Sequence, residues 1–123
     1  MVKVSFGQYI KRLRLKKGYG LRSFAKEIGW LPSNLSHLET GRINPPREKE
    51  VLLKIAKKLE LKKNSKEWNN FLDLAANTPD RVPVDIADFI NDQELAPVML
   101  RTVANKKLSK AQIKKLIEDI KKM

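Results

Sequence analysis

Residues 21–41 read LRSFAKEIGWLPSNLSHLETG, and the spacing of apolar residues inside this stretch decides how the rest of the chain is understood. Leu21, Phe24, Ala25 and Ile28 recur at i, i+3, i+4 and i+7, which gathers them on one face of a short helix. Gly29 can end that helix in a left-handed turn. The pattern then restarts. Pro32 suits the first turn of a second helix, because its fixed φ fits there and its missing N–H would have had no partner. Leu35 and Leu38 follow on the inward side, and Gly41 can close the far end.

Two short helices joined by a tight turn containing glycine make a helix-turn-helix, whose second helix enters the major groove of DNA. The F-A-x-x-I-G of the first helix, the polar second helix with Leu35 and Leu38, the closing E-T-G and the following N-P-P resemble the phage-repressor-like (Xre, Cro-repressor type) family of bacterial helix-turn-helix regulators over residues 4–61. The resemblance implies an all-α fold: a lambda-repressor-like domain of four to five helices, followed by a short helical C-terminal module. It implies that Pro32, Ser33 and His37 reach base edges and that Thr40 reaches a phosphate. It further implies that Arg14 pairs with Glu39 to brace the recognition helix. Two positions depart from the family: Gly20 stands where a Ser or Thr cap is usual, and Leu21 where a phosphate-contacting glutamine is common.

The residues themselves point the same way. Ser33, Asn34, Ser36 and His37 fall on the polar side of the second helix, and such side chains can hydrogen-bond base edges. Pro32 offers apolar contact only, and no arginine is present there for guanine, so modest specificity shared with DNA shape is expected. Arg22 lies beside the start of the first motif helix, where free N–H groups attract phosphate. Arg42 and Asn44, in the loop leaving the motif, are candidates for backbone contacts that position the protein without reading sequence. Trp30 is expected in the core rather than stacked on a base.

Charge supports this placement. Of the 123 residues, 26 are Lys or Arg and 14 are Asp or Glu. Residues 1–63 carry 16 basic and 5 acidic side chains, whereas residues 64–100 carry 2 and 7. The basic half attracts a polyanion, because each neutralised phosphate releases condensed counterions. The acidic segment repels DNA and suits contact with a protein. There are no cysteines and one histidine, which excludes disulfides and thiolate metal sites, and no cofactor is called for. No long apolar run and no signal-peptide profile occur, so a cytoplasmic, nucleoid-associated protein is expected, with no membrane partner.

Outside the motif, Ser5 and Gln8 form a capping box that starts a helix running to Gly18, with Phe6, Tyr9, Ile10 and Leu13 inward. Residues 47–60 read as a fourth helix with Val51, Leu52, Ile55, Ala56 and Leu59 buried. We place a domain boundary at 63/64. Beyond it, a Ser65-capped helix carries Trp68, Phe71, Leu72 and Ala75, and the second tryptophan suggests a second packing centre. A break with two prolines at 77–83 precedes short helices at 84–90 and 95–104. A last helix, capped by Ser109 and Gln112, bears Ile113, Leu116, Ile117 and Ile120 as one apolar stripe. That stripe either folds onto the chain's own core, or residues 65–123 together contribute a dimer interface.

The combined expectation is a sequence-specific double-stranded DNA-binding regulator, acting as a repressor and as a homodimer on an inverted repeat. The alternative is an antitoxin-type protein that binds its own promoter and holds a partner toxin through residues 64–123. An enzyme is disfavoured, since no poised nucleophile, glycine-rich phosphate loop or metal-spaced ligand set occurs.

Overall fold

The computed structural model describes residues 4–78 and 80–123. Among them are eight helices and no strand, so the fold is all-α. Pro79, one of the two prolines of the expected break, lies outside the described residues.

Helix α1 (Phe6–Lys16) starts as its sequence dictates: the Ser5 hydroxyl accepts from the Gln8 N–H at 3.2 Å while the Gln8 amide oxygen accepts from the Ser5 N–H at 3.1 Å. Helix α2 (Leu21–Glu27) follows, with Gly20 as an N-cap that supplies no side chain. Gly29, at φ +75°, turns the chain so that the Trp30 N–H donates to the Ala25 carbonyl at 2.8 Å. Helix α3 (Pro32–Glu39) then begins with Pro32 in its first turn and Leu31 as N-cap. Helix α4 (Lys49–Lys58) is two residues shorter at each end than the expected 47–60. Its start follows Pro45 and Pro46, which hold the incoming chain extended.

The core joins all of these with helix α5 (Lys66–Ala75). Phe6, Ile10, Phe24, Ala25, Leu35, Leu38, Leu52, Ile55, Ala56 and Leu59 form one buried cluster with Phe71, Leu72 and Ala75. Phe71 is fully buried, with its ring centroid 5.2 Å from that of Phe6. Trp30 and Trp68 both lie partly buried against this same cluster. The expected second packing centre is therefore absent from α5, and the first compact unit extends past residue 63 to Asp85. The reason is geometric: α1 leaves an apolar face that the other motif helices do not cover, and α5 packs on both α1 and α4.

The end of this unit is tied down by polar contacts. One Arg81 nitrogen, Nη1, donates to the Pro45 carbonyl at 2.7 Å and to the Ala75 carbonyl at 3.1 Å. Arg47 pairs with Asp80, whose other oxygen accepts from the Thr78 hydroxyl at 3.0 Å. The loop leaving α3 is thus fastened to the chain leaving α5.

The second compact unit, Ile86–Met123, holds most of helix α6 (Val84–Asp92), then α7 (Ala96–Asn105) and α8 (Lys110–Lys121). Pro97 sits in the first turn of α7, where its lack of an N–H costs nothing. Ser109 and Gln112 form a second reciprocal cap, at 3.2 Å and 2.8 Å. Ala96 is the one buried residue of this unit. The α8 stripe of Ile113, Leu116, Ile117 and Ile120 is 36–56% exposed, so no described residue covers it fully.

Candidate nucleic-acid interface

The candidate interface lies on α3, and the sequence determines which side of that helix is free. Leu35 and Leu38 are spaced i, i+3 and face the core with 0% and 1% exposure. The opposite flank presents Ser33 and Asn34 as exposed side chains, with Ser36 and His37 half-buried at its edges. Pro32 is half-buried. Arg22, in the first turn of α2, and Arg42 and Asn44, in the loop after α3, are all exposed.

Thr40 is exposed, but its hydroxyl already donates to the Ser36 carbonyl at 2.9 Å. A phosphate bond from that hydroxyl needs the proton to swing away from the helix, whereas among the described residues Arg42 bonds through its backbone, its N–H donating to the His37 carbonyl at 2.8 Å.

Two features set the pose of α3 from behind. Arg14 and Glu39 meet with side chains 6% and 4% exposed, Nε and Nη2 each donating to one carboxylate oxygen at 2.8 Å. Arg14 Nη1 donates in addition to the Tyr19 carbonyl at 2.8 Å, so one guanidinium links α1, the loop before α2 and the end of α3. Hydrogen bonding to Glu39 raises the Arg14 pKa against the opposing effect of burial. The hydrogen bonds thus favour the charged form of the guanidinium.

The other feature is Gly7. A Cβ placed there would lie 2.0 Å from the Leu38 carbonyl oxygen and 3.0 Å from the Glu39 Cα. The backbones of α1 and α3 touch at this point, and only glycine fits. The sequence reading passed over Gly7. The signal was there: a glycine inside a well-capped amphipathic helix forfeits about 1 kcal/mol relative to alanine, which a close backbone approach accounts for. Leu31 and Ile43 were also missed. They remain 66% and 41% exposed and, with Gly29, Trp30 and Asn34, line a shallow cleft at the start of α3.

A two-helix motif held against a buried core, with the outer helix polar and exposed, defines the helix-turn-helix class. Residues 5–64 match the model of a helix-turn-helix domain family. Domains of this class bind DNA. Comparison with curated proteins and with solved structures gave no match. Among the described residues no helix is long and apolar enough to cross a membrane.

Proposed function

We propose that the chain is a sequence-specific regulator of transcription of the phage-repressor-like type, a repressor that binds double-stranded DNA as a dimer on an inverted-repeat operator. The observation that carries this reading is the exposed polar flank of α3, with Ser33 and Asn34 outward on a helix immobilised by Gly7 and the Arg14–Glu39 pair. Ser33, Asn34, Ser36 and His37 read bases, Pro32 adds apolar contact, and Arg22, Thr40, Arg42 and Asn44 hold the sugar-phosphate backbone. The 16 basic residues among the first 63 supply most of the affinity. The second copy is held through residues 86–123, whose uncovered α8 stripe motivates the assignment.

Selection of bound duplexes from a random pool tests both parts. A palindromic consensus with half-sites about 34–36 Å apart is expected, since that is one helical turn. An unenriched pool refutes sequence reading, and an asymmetric single site refutes the symmetric dimer. A chain that sediments as a monomer until a partner protein joins it favours the antitoxin-type role instead.

A further inference from the structure

The cleft at the start of α3 has a composition that a phosphate-gripping surface would not have. Its lining of Gly29, Trp30, Leu31, Asn34 and Ile43 contains no charged side chain, in a half-chain with 16 basic residues. Two of its members, Leu31 and Ile43, are large aliphatic side chains left in solvent, at 66% and 41% exposure. With them the cleft holds the exposed carboxamide of Asn34, its one side chain that both donates and accepts, beside the Trp30 indole, which only donates. The cleft adjoins the polar flank of α3, since Leu31 is its N-cap and Asn34 lies in its first turn.

In the major groove one base alone displays an apolar group, the C5-methyl of thymine. Its partner adenine shows a donor beside an acceptor, N6–H₂ and N7, which matches the acceptor and donor of a carboxamide. Guanine shows two acceptors and is read mostly by arginine or lysine, neither of which lines the cleft. We propose that this cleft reads an A·T pair: Asn34 bonds the adenine edge, while Leu31, backed by Ile43, covers a thymine methyl. Leu31 is then a specificity-determining residue, and the operator half-site carries thymine at a fixed position. The proposal rests on α3 entering the major groove.

The test uses the full chain and a duplex enriched from the random pool, with each thymine replaced singly by uracil, which removes the methyl and leaves the hydrogen-bonding edge unchanged. At one position per half-site, uracil should weaken binding about fourfold, the worth of one buried methyl-sized group. Leu31→Ala should bind the thymine and uracil duplexes equally at that position, and Ile43→Ala, altered outside any helix, should narrow the same ratio. Leu31 is exposed enough that its variant should melt with the wild type. Indifference of the wild type to uracil at every position overturns the methyl contact, as does a Leu31→Ala variant that keeps the full fourfold ratio. Failure to enrich any duplex from the pool overturns the underlying DNA reading instead.

Discussion

Arg14 and Glu39 illustrate how a single ion pair can serve position rather than net stability. Both charges are almost fully removed from water, and their bidentate bond with the extra Tyr19 carbonyl offsets that desolvation. Removing one partner leaves the other charged and unmatched. Glu39→Gln or Arg14→Ala should therefore lower unfolding free energy by about 3–5 kcal/mol, read by urea denaturation. Arg14→Met combined with Glu39→Leu should recover much of that loss, because the pair is replaced by apolar volume. Gly7→Ala should be worse than its size suggests, since a 2.0 Å approach to a backbone oxygen cannot be relieved by a side-chain rotation. Either α1 or α3 must move, so DNA affinity should fall together with thermal stability. Arg81 is a third such residue: its Nη1 holds two carbonyls 30 residues apart in sequence, Pro45 and Ala75. Loss of this guanidinium in Arg81→Ala leaves those carbonyls with a bond fewer, and about 1–3 kcal/mol of destabilisation is expected in the same denaturation assay.

At the scale of the element, α3 separates two duties that its sequence interleaves. Its inward leucines hold it to the core and its outer polar residues face solvent. Ser33→Ala with His37→Ala should relax base preference by about 1–3 kcal/mol per lost contact while nonspecific affinity persists, measured by competition with mixed-sequence DNA. Equal loss for every sequence would assign these two residues to the phosphate backbone instead. Arg42→Ala should act in the opposite manner, weakening all duplexes alike and reducing the salt slope of log K by about one. Much of the motif was legible before any coordinates, because helix periodicity, Gly29, Pro32 and Gly41 are local signals that need no knowledge of what lies across the core. The same holds for the caps at Ser5, Ser65 and Ser109, whose partners lie three residues away. What could not be read locally was α5. Trp68, Phe71, Leu72 and Ala75 announce an amphipathic helix, but periodicity says nothing of which surface covers it, and Phe71 finds Phe6, 65 positions earlier.

For the molecule as a whole, the first compact unit runs to Asp85. A chain cut after residue 63 loses Phe71, Leu72 and Ala75 from the core and bares Phe6, which packs on Phe71. Burial of each large apolar side chain is worth about 1.5–3 kcal/mol, against a total stability of about 5–15 kcal/mol. Such a fragment should show no cooperative melt by circular dichroism, whereas residues 1–85 should melt in a single transition. Acid should weaken this unit. Hydrogen bonding from Lys17 holds the Glu60 carboxyl below its ordinary range, and bonds from Thr78 and then Arg47 do the same for Asp80. Carboxylates of this kind stabilise the fold at neutral pH, an advantage lost as pH falls from about 4 through their lowered values. Asp73 acts in the opposite sense: burial, with Asp85 adding to it, raises its pKa, so its protonation returns a little stability. The melting temperature should decline below about pH 4, and less steeply in Asp80→Asn.

The bare contact between α1 and α3 bears on how this protein can diversify. Because α3 is held from behind by the main-chain contact at Gly7, the buried Arg14–Glu39 pair and its inward leucines, none of them on its outer flank, substitutions along that flank should leave its angle of approach unaltered. On the proposed function, new binding preferences could then accumulate by exchanging Ser33, Asn34 or His37 alone, while Gly7 behind them tolerates no exchange.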